Sequence, residues 1–176
     1  LRRGLTEQRQ GFLAFARAGD EPVASPPLEL VRTIALPGVK GRIDHMALDA
    51  KRGRLFVAAL GNGSVEIVSV EKGEREKSVA GLPEPQGVAF LPDLDRFVVA
   101  CGGDGSVRFL DGETLAEKSK VDLGSDADNV RYDAATQKVY VGFGDGAVAV
   151  VNAKKAMVVG KADVGVHPES FQLETA

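Results

Sequence analysis

The chain has 176 residues, 44% of them hydrophobic, a formal charge of −3 and a single cysteine, Cys101. That is the length of one ordinary domain with enough apolar residues for a core; a lone cysteine excludes an internal disulfide, and no window reaches the ~18 apolar residues of a membrane span. The small net charge, the absence of Trp and the few aromatics argue against a nucleic-acid-binding face, which needs basic residues and stacking rings.

Residues 1–27 are expected to lie outside the folded domain. Leu1–Ala18 (LRRGLTEQRQGFLAFARA) combines early arginines, a short apolar run and an Ala-Arg-Ala triplet, and reads as a disordered tail or a degraded secretory signal. Gly19–Pro27 (GDEPVASPP) is a Pro-containing linker that no helix or strand would survive. Structured chain is expected over residues 28–176, beginning with an unaccompanied strand at Leu30–Leu36.

From there the chain repeats itself. Arg54–Val68 (RLFVAALGNGSVEIV), Arg96–Leu110 (RFVVACGGDGSVRFL) and Lys138–Val151 (KVYVGFGDGAVAVV) are versions of one unit. Aligned on Leu55, Phe97 and Val139, the steps are 42 and 42; the strands before them, aligned on Met46, Val88, Val130 and Phe171, step by 42, 42 and 41. Four strands repeated every 40–45 residues is the signature of a propeller blade.

Within each unit the first strand alternates, as at Met46-Ala47-Leu48, and a polar turn follows. The second strand is continuously apolar (LFVAA, FVVAC, VYVGF), which fits a strand covered on both faces. Asn62-Gly63, Asp104-Gly105 and Asp145-Gly146 then predict tight hairpins with positive φ. The third strand leads through a second turn to a polar outer strand at Glu76–Ala80, Lys118–Asp122 and Val158–Asp163; charge there protects an exposed sheet edge from pairing with other molecules. Cys101, with Ala59 and Phe143 as its counterparts, reads as a small core residue. The predicted fold class is all-β: a β-propeller fragment of three complete four-stranded antiparallel blades, at about 43–80, 85–122 and 127–163, with a further blade starting at 168–176.

The segment VYVGFGDGAVAVVNAKKAMVVGKADVG (139–165) and the entry motif His167-Pro168-Glu169-Ser170-Phe171 resemble the YVTN-repeat (YncE-like) β-propeller family. The resemblance runs from Leu28 to the C-terminus and implies a ring of about seven blades and a periplasmic or extracellular location. Propellers close with roughly 4–8 blades, and three blades plus a strand would leave two uncovered end faces. The remaining blades of a longer chain, or self-association of copies, are therefore expected to close the ring.

In a propeller, the link from one blade's outer strand to the next blade's inner strand lies near the axis. The residues two before Met46, Val88, Val130 and Phe171 are Asp44, Gln86, Asp128 and Glu169; the next positions hold His45, Gly87, Asn129 and Ser170. Arg42, Glu84, Asp126 and His167 are placed further out, at the rim. Asp44, His45, Gln86, Asp128, Asn129, His167 and Glu169 form the predicted ligand-binding set on the axial face. Within it, Asp44, Asp128 and Glu169 are the candidate ligands of a divalent cation: carboxylates and amides suit Ca²⁺ or Mg²⁺, while His favours Zn²⁺ or iron. The blander alternative is that these groups cap loop amides or line a watery channel.

There is no C-x-x-C-H, no G-x-S-x-G elbow and no phosphate-binding loop. The favoured reading is a non-enzymatic binding or scaffold propeller presenting its axial face to an unknown protein or small-molecule ligand. The rival is a metal-dependent, gluconolactonase-like hydrolase with an axial cation and His45 or His167 as acid/base. A redox propeller is a third reading, without a haem or quinone ligand motif to support it.

Overall fold

The computed structural model describes residues 28–174, so the readings made for the tail and linker at 1–27 lie outside the described residues. By contact density the chain divides into two units, Leu1–Val31 and Arg32–Ala176. Of the first, only residues 28–31 are described, and they form no strand. All the strands described belong to the second unit.

Twelve strands fall into three four-stranded antiparallel sheets. The first contains β1 (Met46–Asp49), β2 (Arg54–Ala59), β3 (Ser64–Ser69) and β4 (Glu74–Ala80). The second contains β5 (Pro85–Leu91), β6 (Arg96–Cys101), β7 (Ser106–Asp111) and β8 (Glu117–Asp122). The third contains β9 (Ala127–Asp133), β10 (Lys138–Phe143), β11 (Ala147–Asn152) and β12 (Met157–Asp163). In each sheet the spatial order is the chain order. The inner strand β5 packs against β1 on one side and β9 on the other. This is a β-propeller fragment of three complete blades.

The continuously apolar second strands have the two-sided role that their composition implies. On β6, Phe97, Val99 and Cys101 join the cluster shared with the first blade, which includes Phe56, Ala58, Val65 and Ile67. Val98 and Ala100 join the cluster shared with the third blade, which includes Val139, Val141, Ala149 and Val151. The period of two along a strand divides one blade's side chains between two interfaces. Phe56 stacks on Phe97 across the first interface, with ring centroids 4.0 Å apart. Cys101 is fully buried there, and burial pushes its thiol up to about 11, the behaviour of a packing residue rather than a nucleophile.

Three local devices repeat with the blades. The ladder between third and fourth strand slips at Ile67/Val68, Phe109/Leu110 and Val150/Val151, which are equivalent positions. Such bulges increase local twist. The turn residues Gly53, Asp95 and Gln137 all have positive φ (62°, 47° and 54°). Gly73, Leu115 and Ala156 do the same before each outer strand (71°, 64° and 48°).

Three expectations need correction. The flanking strands at Leu30–Leu36 and Ser170–Leu173 carry no ladder bonds and run as unpaired chain. An outer strand exists by pairing with the third strand of its own blade, and β3, β7 and β11 already pair with β4, β8 and β12; an inner strand needs a second strand, and β2, β6 and β10 are likewise engaged on both sides. The hairpins draw positive φ from glycine alone: Gly63 and Gly105 take 64° and 63°, while Asn62, Asp104 and Asp145 remain at negative φ. The loops between second and third strand hold four residues in the first two blades, so a two-residue turn that would need both at positive φ does not form. The outer strands are polar in β4 and β8, but β12 exposes Met157, Val158 and Val159 at its start.

Candidate functional site

The blade entries are fixed by backbone bonds before any side chain is considered. Asp44 N donates to Ala58 O (2.9 Å), and Ala58 N donates to His45 O (3.0 Å), so both residues are tied to β2 of their own blade. In the third blade Gly144 N donates to Asp126 O (3.1 Å), which brings the β10–β11 hairpin beside the blade entry. Asp128 and Asn129 lie on β9 and are buried.

Asp44 and His45 form one end of the resulting cluster. His45 Nδ1 lies 3.0 Å from Asp44 Oδ1, and Arg42 donates to Asp44 Oδ2 (3.1 Å). Across the inner edge, Asn129 Nδ2 lies 3.0 Å from His45 Nε2. An amide N–H facing that nitrogen makes Nε2 the acceptor and leaves the imidazole proton on Nδ1, which lies near Asp44 but makes no hydrogen bond among the described residues. The same Asn129 Nδ2 donates to the backbone carbonyl of Glu169 (3.2 Å). Asn129 thus joins segments 84 and 40 residues away, which only convergence of blade entries allows.

Asp128, His167 and Glu169 form the other end. His167 Nδ1 lies 2.6 Å from the Gly144 carbonyl, which accepts its proton and leaves Nε2 as a lone pair in the neutral ring. That Nε2 is 3.5 Å from Asp128 Oδ2 and 3.9 Å from Glu169 Oε1. One oxygen from each carboxylate and one His167 nitrogen lie within 4.8 Å of one another. Asp128 is 3% exposed, and its other oxygen, Oδ1, is buried without a hydrogen-bond partner. Burial pushes the Asp128 carboxyl up from its usual range against the pull of His45. The Gly144 carbonyl raises His167, with Asp126, Asp128 and Glu169 adding to the effect against partial desolvation.

The predicted site residues are therefore linked by a run of contacts but do not form one group. Asp44 keeps company with Arg42 and His45, while Asp128 and Glu169 are grouped with His167. Gln86 reaches the cluster indirectly, donating to Asp126 Oδ1 (2.9 Å), whose Oδ2 lies 3.6 Å from His167 Nδ1. Repeat position alone puts Asp126 at the rim; its contact with His167 depends on a loop path that spacing does not encode. Beside the cluster a groove of about 490 Å³ opens between Val148, Val166, Pro168 and Phe171. The Arg131 guanidinium lies 5.7 Å over the Phe171 ring.

No protein-family model matches the chain, and no curated protein matches it. Among solved structures, hydrazine synthase of Kuenenia stuttgartiensis superposes with a TM-score of 0.63 at 20% identity, over 69% of this chain and 36% of that one. At that identity the likeness carries the fold alone. The chain spans about a third of the length of the structure it matches.

Proposed function

We propose that this chain is a binding or scaffold propeller of the YVTN-like kind, which presents its axial face to a small-molecule or protein ligand outside the cytoplasm. One observation carries the reading. Polar side chains from the first blade, the third blade and the chain beyond it converge on one face, with the buried oxygens Asp128 Oδ1 and Asn129 Oδ1 left without partners. Buried polar atoms are normally satisfied, and an exception calls for an explanation such as strain, a bound water or an ion. The groove beside His167 supplies an apolar wall next to these groups, the usual composition of a small-molecule site.

This reading is preferred to a metal-dependent hydrolase. A cation held by Asp44 together with Asp128 and Glu169 is not favoured, because Asp44 pairs with Arg42 and lies beside His45. The test is an amide chemical-shift map of the full chain against a panel of divalent cations, sugar acids and charged peptides. Perturbations centred on Asp44, His45, Gln86, Asp128 and Asn129 support the axial face; perturbations confined to β4, β8 and β12 overturn it.

A further inference from the structure

The third blade and the chain following it bring three potential donor atoms, from Asp128, His167 and Glu169, within 4.8 Å of one another. With the His167 Nδ1 proton given to Gly144 O, the ring's Nε2 presents a lone pair to Asp128 Oδ2 at 3.5 Å. Glu169 Oε1 closes the third side at 3.9 Å, and Asp128 Oδ1 has no hydrogen-bond partner among the described residues. Among the described residues nothing donates to either oxygen of Asp128 except, when protonated, His167 itself. With His167 neutral these are acceptor atoms facing acceptor atoms beside a carboxylate that is 3% exposed. Such a grouping favours a positive centre.

The spacing suits one. Two ligands ~2.1 Å from a tetrahedral ion lie ~3.4 Å apart, close to the His167–Asp128 separation. The third ligand is on a side chain 84% exposed, free to close the remaining gap by rotation. The Gly144 carbonyl on the far nitrogen is the outer-shell contact that ligating histidines usually make, fixing tautomer and ring orientation. We infer that Asp128, His167 and Glu169 form a binding site for a single first-row divalent cation, of which Zn²⁺ is the natural probe, with its remaining coordination positions open toward the adjacent groove for a ligand or water. The cation site rests on the axial-face reading and narrows it. One imidazole and two carboxylates is a borderline donor set; Ca²⁺, which takes 6–8 oxygens, fits it poorly.

The experiment titrates chelator-treated full-length chain with ZnCl₂ and with CaCl₂ by calorimetry, and repeats the Zn²⁺ titration on His167→Gln, Asp128→Asn and Glu169→Gln, with the hairpin variant Asp145→Asn as control. The expected result is one equivalent of Zn²⁺, at least 100-fold tighter than Ca²⁺. Binding should weaken at least 10-fold in Glu169→Gln, be lost in the other two site variants, and be unchanged in the control. Glu169 is exposed, so its variant remains folded and decides the matter even if another variant does not fold. Absence of Zn²⁺ binding at 1 mM, affinity unchanged in Glu169→Gln, or Ca²⁺ binding tighter than Zn²⁺ overturns the inference. A chain that binds no cation but still shows axial amide shifts with other ligands discards this site and leaves the axial-face reading standing.

Discussion

Arg52 and Asp95 form a two-pronged ion pair across the seam between the first and second blades, with Nη1–Oδ1 at 2.8 Å and Nη2–Oδ2 at 2.7 Å. The same Nη1 lies 2.9 Å from Oδ2 of the fully buried Asp49, so one guanidinium ties a turn of its own blade to the next. The corresponding seam between the second and third blades uses other chemistry: Tyr132 and Gln137 both donate to Asp93, at 2.6 and 2.9 Å.

The parallel fork is a geometry that an ammonium cannot reproduce. Arg52→Lys is therefore expected to lower stability by about 1–2 kcal/mol in urea unfolding, although charge is conserved. Asp95→Asn should cost less because Asp95 is half-exposed. The double variant should show positive coupling; strict additivity would mean that the two residues do not act together.

The second prediction concerns acid. Asp104 is held at about 2, burial pulling upward and bonds from Ser106, Lys120 and Arg108 overcoming it. Asp111 is also held at about 2, by the backbone N–H of Thr114 first and its hydroxyl second. Asp93, Asp95 and Asp133 are lowered too, chiefly by Tyr132, Arg52 and Thr136 respectively. A carboxyl that is more acidic in the folded state gives stability that is full above its ordinary value of 3.8 and is lost as pH falls toward the folded value. Stability should thus hold down to about pH 4 and drop steeply between 4 and 2. Asp104→Asn should flatten part of that slope; a variant with the wild-type profile would show the Asp104 network to be energetically silent.

These seams show what could be read from the chain and what could not. The blade is legible because the apolar period, the turn glycines and the 42-residue step all recur. The ion pairs do not recur. Glu66 in β3 pairs with Arg75, while the equivalent positions in the second blade are Arg108 and Glu117, the same pair with its charges exchanged. The third blade has Ala149 there. Repetition specifies backbone and core, where every blade faces the same packing problem. It does not specify side-chain partners, which each blade solves separately. The repeat also places Asp44, Gln86, Asp128 and Glu169 at equivalent blade entries, but the separate contacts of Asp44 and of Asp128 with Glu169 depend on which way loops turn after Gly144 and His167.

Positive φ gives a third test. Ala156 occupies at 48° a position that Gly73 occupies at 71°. The left-handed region costs a non-glycine residue roughly 1–2 kcal/mol, offset by the ~0.5–1 kcal/mol that glycine loses in chain entropy. Ala156→Gly should therefore stabilise by about 0.5 kcal/mol, and Gly53→Ala, at 62° with open space around it, should destabilise by about the same amount or slightly more. Thermal melts with the opposite order would show that these turns relax without strain.

Gly87 is required for a different reason. Its φ is ordinary, but a methyl placed on it would overlap the carbonyl oxygen of Asp128 and press on Val130. The obstacle is backbone of the neighbouring inner strand, which cannot rotate away. Gly87→Ala is expected to cost about 2–3 kcal/mol, at the upper end of overpacking. It should also move the Asp128 and Asn129 amide resonances, because β5 and β9 must separate. A stable variant with both resonances in place would contradict the close approach of these strands.

The last prediction separates a site from a scaffold. Asp128 is buried, one of its oxygens has no partner among the described residues, and the other lies 3.5 Å from His167 Nε2. Were this carboxylate structural, removing its charge would weaken the fold. On the present geometry its charge is a cost to the fold, since an unsatisfied buried group is unfavourable by about 1–3 kcal/mol. Asn keeps the shape, removes the charge and offers an N–H to His167 Nε2. Asp128→Asn should accordingly raise the midpoint of urea unfolding at neutral pH, by about 1 kcal/mol in stability, in the absence of any ligand. A midpoint that falls instead would show Asp128 to be a structural partner on β9, and the polar convergence at the axis would then be explained by folding alone.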